Sequence, residues 1–207
     1  MNKSILSAFL IFVCVHTVAQ KKGKTDEENF FRFGAKVGVN VNKISGQSYK
    51  QGFNYNYQLG GFFQFNFSDR FGLQPEFNLV QSSSEFTNDA NDIYNDIFLG
   101  GSQKKASLNY LEVPLLLNIN VGESKHVKLQ LGPAFSSVLK QTVDSLKNGG
   151  NIYKNTELSA IGGLWIQLPF INLGGRYKVG LNDINGIPGD NHPWKSQAIQ
   201  VFVGVTF

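Results

Sequence analysis

Two carboxylates, Glu76 and Glu112, are the residues of this sequence best placed to do chemistry. Each lies on the polar side of a segment in which polar and apolar residues alternate. Two facing carboxylates could act as a general acid and a general base. However, a charge buried without a partner is costly, and basic residues occupy the same side of other segments. We therefore interpret both carboxylates as members of structural ion pairs and expect no catalysis.

Two acidic groups offer oxygen ligands of the kind that calcium prefers: Asp89, Asp92 and Asp96, and Asp183 with Asn185 and Asp190. Neither group has the spacing of an EF-hand loop, and acidic residues in polar loops are ordinarily solvated. The sequence therefore predicts no metal and no cofactor.

The composition limits the kinds of protein that could hold these residues. Only 16% of the 207 residues are charged, whereas 13% are aromatic, with 18 Phe and 22 Gly, a composition that suits strands and turns. The net charge of +4 comes without a block of Lys and Arg, which excludes a typical nucleic-acid-binding protein. Beyond the N-terminus no apolar run approaches the roughly 20 residues of a membrane-spanning helix.

Residues 1–19 are predicted to be a secretory signal peptide. Lys3 precedes a short apolar core, and Ala19 provides a small residue at the cleavage edge. Removal of this segment takes Cys14 with it, so the mature chain has no cysteine for a disulfide, a thiol nucleophile or a metal site. Residues 20–30 are expected to form a flexible periplasmic leader, and residues 31–207 a single domain.

Apolar and polar residues alternate in eight segments of this domain, which is the period of a β-strand. The predicted strands are 31–41, 54–67, 71–79, 107–121, 127–139, 157–168, 171–181 and 199–207. The connections alternate between long and short, and the long ones include 82–106, 141–155 and 183–195. An even strand count with this alternation is typical of outer-membrane barrels. The sequence thus predicts an all-β fold, an eight-stranded antiparallel up-and-down transmembrane β-barrel after a cleaved signal peptide.

The polar side of the strands distinguishes a membrane barrel from a soluble one. A soluble barrel presents Lys and Glu to water and fills its interior with apolar residues. Here the polar side is mostly Gly, Asn, Gln and Ser with a few charges, which suits a narrow lumen. The predicted lumen ion-pair network comprises Arg32, Lys36, Glu76, Glu112, Lys128, Arg176 and Lys178. The predicted aromatic girdle at the periplasmic rim comprises Phe31, Phe33, Phe65, Phe67, Phe71 and Phe207.

The stretch Tyr110-Leu111-Glu112-Val113-Pro114 resembles the PorT-like outer-membrane β-barrel family of Gram-negative bacteria. Residues 62–81 and 175–181 are similar to strands of the same family, so the resemblance covers most of the mature chain. The resemblance implies an integral outer-membrane protein. It does not transfer the link to protein secretion of the member after which the family is named.

We expect an integral protein of the cell outer membrane that has a structural or interaction role through its extracellular loops. The expected partners are outer-membrane lipid and other envelope or surface proteins, with no nucleic acid, and the protein is expected to be a monomer. One alternative is a soluble lipocalin-like barrel that binds a small ligand. Another is a lipid-modifying outer-membrane enzyme, but neither His126 nor His192 has a serine motif around it.

Overall fold

The computed structural model describes residues 29–45, 52–85, 105–122, 125–143, 153–186 and 193–207. The predicted signal peptide, most of the predicted leader, the acidic group at 89–96, Asp190 and His192 lie outside these residues. The strands are β1 (Phe31–Ser45), β2 (Asn54–Asn66), β3 (Phe71–Glu85), β4 (Lys105–Val121), β5 (Val127–Val143), β6 (Thr156–Gln167), β7 (Ile171–Gly180) and β8 (Lys195–Thr206).

These strands form a closed barrel in chain order, in which each strand pairs antiparallel with its neighbours and β8 returns to β1. The longer connections lie at one end and the shorter ones at the other, so the predicted fold is confirmed. Among the described residues, no helix is long and apolar enough to cross a membrane.

Side-chain burial shows that the barrel has a polar inside and an apolar outside. On β1, Val37 is 56% exposed, whereas the neighbouring Lys36 is 4% exposed. On β4, Leu115 and Leu117 are exposed, and Glu112 is fully buried. This is the arrangement of a membrane barrel, because lipid solvates the apolar band and the lumen must satisfy its own polar groups.

Five strands extend by two or more residues further into the long connections than the alternation predicts. β3 ends at Glu85 and β4 begins at Lys105, and the ladder between them continues up to the pair of these two residues. Similarly, β1 continues to Ser45, β5 continues to Val143 and β8 begins at Lys195. The predicted loop bounds were therefore wrong at these ends. Both faces of the strands become polar above the apolar band, so the alternation disappears although the backbone pairing continues.

A one-residue bulge near the outer end of β5 exchanges which side chains point into the lumen and which point outward. Asn109 pairs with Lys140 and Tyr110 pairs with Val138, so Leu139 is left without a cross-strand partner. Such a bulge exchanges the two faces of a strand. As a result Gln141 points inward, where its side chain contacts the backbone of Tyr153.

Candidate functional site in the lumen

The first charged cluster of the lumen is centred on Glu76, whose carboxylate binds two cations. Arg176 Nη1 and Nη2 each donate to one carboxylate oxygen at 2.8 Å, and Lys36 Nζ donates at 2.6 Å. Gln74 and Asn78 on the same strand add amide hydrogen bonds. The side chains of the three charged residues are fully buried. A two-pronged Arg–carboxylate contact of this kind is among the strongest hydrogen-bonded pairs in proteins.

A layer of amides surrounds this Glu76 cluster. Gln130 Oε1 accepts hydrogen bonds from Arg176 Nε at 2.8 Å and Nη2 at 2.6 Å. Gln130 Nε2 in turn donates to Asn118, and Asn118 Nδ2 donates to Gln74. The guanidinium is thus fixed on two sides, by the carboxylate and by the amide layer.

Three aromatic residues pack together in the lumen beside the Glu76 cluster, and we call them the aromatic plug. Phe62, Trp165 and Phe202 form a buried group in which Trp165 lies 5.0 Å from Phe62 and 5.5 Å from Phe202 between ring centroids. Both cations of Glu76 also contact it: Lys36 Nζ lies 4.4 Å and Arg176 Cζ 4.6 Å from the Phe202 ring. The plug therefore stabilises the cations by cation–π contacts.

The sequence interpretation missed this plug, although the signal was present. All three aromatic residues lie on the lumen side of their strands, which was interpreted only as polar. Their rings fit because the opposing positions are glycine: a Cβ on Gly174 would lie 2.1 Å from Phe202 Cζ, and one on Gly34 would lie 2.5 Å from Phe62 Cζ. A second buried apolar group on the lumen side, Leu116 with Ala134 and Ile161, was also missed.

A second charged cluster lies nearer the outer end. Lys178 Nζ is 2.8 Å from Glu112 Oε2 and 3.2 Å from Glu157 Oε1. Gln200 donates to Glu112, and the Lys178 ammonium lies 4.9 Å from the centre of the Tyr110 ring. Tyr110 therefore shares the lumen side with Glu112, as its position in the alternation requires. A small cavity of ≈ 20 Å³ borders this Glu112 cluster, enough for a water molecule.

The connections β5–β6 and β7–β8 meet above this cavity. Tyr153 and Trp194 are buried with their ring centroids 5.5 Å apart. The Asp183 carboxylate accepts hydrogen bonds from the backbone N–H groups of Asn185 and Trp194 and from Lys154 Nζ. Although burial opposes ionisation, these hydrogen bonds outweigh it and hold the pKa of Asp183 below its usual value. We call these five residues the outer clasp.

Arg32 and Lys128 are the two remaining members of the predicted network. Arg32 lies near the periplasmic rim, where its guanidinium donates to the Pro169 carbonyl at 3.4 Å. Lys128 is buried, at a ladder position beside Asn120 and Trp165. Glu76 and Glu112 have separate partners rather than forming a carboxylate pair. No group of three or more His, Cys, Asp or Glu that could hold a metal occurs in the described part of the chain.

The residues of the predicted girdle lie on the outer surface near the short turns. Phe31 contacts Phe33 and Phe65 with ring centroids 6.0 and 5.2 Å apart. Phe33 contacts Phe207 at 5.7 Å, and Phe67 and Phe71 are exposed nearby. The rings thus form a continuous aromatic strip across β8, β1 and β2.

A closed barrel with an apolar outer band and a filled polar lumen defines the class of integral outer-membrane β-barrel proteins. The chain belongs to the family described as "Outer membrane protein beta-barrel domain", which matches residues 18–186. It is therefore a protein of the outer membrane with surface-exposed loops. None of the curated proteins matches the sequence.

Several solved outer-membrane proteins are similar in structure at low sequence identity. Ail of Yersinia pestis, in complex with the heparin analogue sucrose octasulfate, has a TM-score of 0.49 and 13% identity over 86% of this chain and 100% of Ail. Neisserial surface protein A has a TM-score of 0.48 and 14% identity over 86% and 98%. OprG from Pseudomonas aeruginosa has a TM-score of 0.46 and 14% identity over 86% and 95%.

Proposed function

We propose that this protein is a non-conducting structural or interaction protein of the outer membrane that contacts other envelope or surface proteins through its extracellular loops. The observation that carries this proposal is the filled lumen at the level of Glu76. Arg176 spans the interior from β7 to β3, and Phe62, Trp165 and Phe202 pack against it. We expect no path for a solute through this layer, which leaves the lipid-facing wall and the loops as the parts able to act.

The proposal includes the absence of catalysis. Glu76 and Glu112 are both held by cations. Ser136 lies opposite Glu112 on the neighbouring strand, but its hydroxyl accepts a hydrogen bond from the Lys178 ammonium at 3.4 Å. His126 is exposed near the short β4–β5 turn, where its carbonyl accepts a backbone hydrogen bond from Gln167. General acid–base catalysis needs a titratable group within hydrogen-bond reach of a substrate, and the cavity of ≈ 20 Å³ beside the Glu112 cluster has room for a water molecule but not for a substrate.

We further assign the chain to the PorT-like branch of its family, on the residues of β4. Tyr110 and Glu112 contact Lys178 from inside the lumen, whereas Leu111 and Val113 face outward. A stretch that resembles the branch thus contributes directly to the Glu112 cluster. The protein is expected to act as a monomer surrounded by lipid. The aromatic strip is expected to lie at the periplasmic interface of the outer membrane.

Ion conductance is the direct test of the filled lumen. We expect no open-channel events when the purified barrel is inserted into a planar lipid bilayer. A variant with Phe202→Ala and Trp165→Ala, which opens the plug, should give measurable leak. Stable channels in the unmodified protein would contradict the proposal.

Proximity labelling tests the role of the loops. A peroxidase inserted within residues 88–100 should label a defined set of surface proteins. The matched control carries the same enzyme at the periplasmic leader and should label a different set. Identical sets from the two positions would contradict an interaction role for the loops.

A further inference from the structure

The barrel wall is incompletely paired between β2 and β3 at the outer end. The β2–β3 ladder ends at the pair Gln58–Val80, although β2 begins at Asn54 and β3 continues to Glu85. Over the same length β2 remains paired with β1, up to Asn54 opposite Asn42. Among the described residues, β2 from Asn54 to Asn56 therefore has one paired edge and one edge without a ladder.

On the β3 side of this unpaired region, side chains of β1 make the hydrogen bonds to the β3 backbone that a neighbouring strand would otherwise make. Asn42 Nδ2 donates to the Ser83 carbonyl at 3.0 Å, and Asn42 Oδ1 accepts from the Ser83 backbone N–H at 3.4 Å. Asn40 donates in the same way to the Gln81 carbonyl at 2.8 Å. The Ser83 hydroxyl also donates to Asn56. The backbone of β3 is thus satisfied from beneath β2, which leaves the edge of β2 as the open one.

This edge lies outside the apolar band of the membrane. With about 3.3 Å per residue and a tilt of about 40°, the step from Phe71 to Val80 rises roughly 23 Å, close to the roughly 25 Å height of the band. The open segment of β2 is therefore at the level of the outer interface and above. Tyr55 is 79% exposed there, with Phe53 and Tyr57 also exposed on the same side of the strand.

We propose that the edge of β2 at Asn54–Asn56 is a docking site for an extended polypeptide segment of a partner protein, which adds a strand to the barrel wall. The Asn54 carbonyl accepts a hydrogen bond from Asn56 Nδ2 at 3.3 Å, a local contact that an incoming strand can replace. A strand edge that lacks a ladder partner is complemented by another strand rather than by lipid tails. The proposal rests on the interaction role above and names the kind of partner it implies.

A second copy of this chain does not fit the same edge. Two copies inserted in the same direction are related by an axis along the membrane normal. Their β2 strands would therefore run parallel, and the outer face of one strand would point to the opposite side from the outer face of the other. Antiparallel pairing of the two β2 edges would require one copy to be inverted in the membrane. The edge therefore favours a polypeptide segment that can pair antiparallel to β2.

The side chains around the edge indicate the chemistry of this segment. Phe53, Tyr55 and Tyr57 favour apolar residues at alternate positions, because cross-strand neighbours on one face contact each other. Lys43 Nζ lies 5.3 Å from the Phe53 ring. A cation at this end favours an acidic residue at the corresponding end of the partner segment.

Hydrogen exchange and a synthetic peptide test the proposal in the full chain in lipid nanodiscs. In the free protein, backbone amides in residues 54–56 that face away from β1 should exchange roughly a hundredfold faster than amides of Tyr177 and Lys178. Those two residues are paired on both sides. The probe is a ten-residue peptide that alternates valine and threonine and carries an aspartate at each end. Its binding should slow exchange in residues 54–56 at least tenfold.

Two controls separate backbone pairing from general adhesion. The same peptide with alternate backbone nitrogens methylated should not bind, because it cannot complete the ladder. Tyr55→Asp should weaken binding at least tenfold, whereas Leu139→Asp, an exposed apolar position on β5, should leave binding unchanged. Slow exchange at residues 54–56 in the free protein, failure of the peptide to bind, or equal binding of the methylated peptide would overturn the proposal. Conducting channels would instead contradict the proposed function and leave these exchange results standing.

Discussion

The two charged clusters in the lumen have opposite compositions. At the Glu76 cluster one carboxylate binds two cations, Lys36 and Arg176. At the Glu112 cluster one cation, Lys178, binds two carboxylates, Glu112 and Glu157. The first cluster is packed against an aromatic plug and an amide layer, whereas the second borders a cavity that can hold water.

This difference shows how a narrow membrane barrel can balance charge without pairing every group locally. The Glu76 cluster has an excess positive charge and the Glu112 cluster an excess negative charge, so each partly neutralises the other along the lumen. The difference in composition also implies that substitutions in the two clusters reduce the stability of the barrel by different amounts. Removing Glu76 leaves two buried cations without a carboxylate, whereas removing Glu112 leaves Lys178 with Glu157.

Glu76→Gln should have the largest effect on stability. Breaking a buried ion pair by removing one partner costs about 3–5 kcal/mol, because the remaining charge stays buried. We expect a loss of this size in the free energy of unfolding, measured by urea titration of the detergent-folded barrel with heat-modifiable gel migration as the readout. The control is Asp69→Asn, which removes an exposed ion pair with Lys125 and should cost less than about 1 kcal/mol. Equal losses would show that the Glu76 cluster does not stabilise the barrel.

Trp165→Ala should cost somewhat less, about 3 kcal/mol, because it leaves a cavity between Phe62 and Phe202. The adjacent Leu164 provides the matched control, since it faces outward and is 52% exposed. Leu164→Ala should cost about 1 kcal/mol in the same urea titration, because detergent can fill the space that the side chain leaves. A smaller loss for Trp165→Ala than for Leu164→Ala would contradict a packed plug.

Glu112→Gln should cost about 2 kcal/mol, the usual value of a charge-assisted hydrogen bond. Glu157 continues to bind Lys178 in this variant. The double variant Glu112→Gln with Glu157→Gln removes both carboxylates and should approach the loss seen for Glu76→Gln. If the single Glu112 variant is already as damaging as the Glu76 variant, the two clusters are equivalent and the comparison is wrong.

The outer clasp should give the smallest effect, and one that depends on pH. Because the folded pKa of Asp183 is lowered, its contribution is fully present above the unfolded value of about 3.9 and is lost as the pH falls through the folded value. In a Trp165→Phe background, Trp194 is the only tryptophan of the chain. Its fluorescence should stay unchanged from pH 6 down to about 3.9 and should shift to the red only below that pH, as the clasp opens. Asp183→Asn should show the shifted emission already at pH 6, and an unchanged pH response would contradict the role of Asp183.

The sequence predicted the fold and the facing of the strands because alternation follows directly from the geometry of a strand. The side chains of Lys36, Glu76, Glu112, Arg176 and Lys178 are buried, on the side of their strands to which the alternation assigns them. The sequence could not assign partners, since Glu76 and Arg176 are a hundred residues apart. Their meeting depends on the stagger between strands, which a residue pattern within one strand does not contain.

Other features escaped prediction because the pattern weakens or is reversed. The plug of Phe62, Trp165 and Phe202 was missed because aromatic residues on the polar side were not weighed against the glycines opposite them. The outer ends of β3 and β5 were missed because both faces are polar there. The inward turn of Gln141 depends on the bulge at Leu139, which shifts the pattern by one residue and has no signature of its own in the sequence.

The joining of β1 to β8, from Gly34–Thr206 to Ser45–Lys195, has a consequence for the order of folding. These pairs connect the two ends of the domain, so the entropy of closing almost the entire chain must be lost before they form. Until then β1 and β8 are both unpaired edges beside an apolar surface, a state prone to aggregation. We therefore expect slow, late circularisation of the sheet, with the lipid bilayer needed to shield the hairpins that form first.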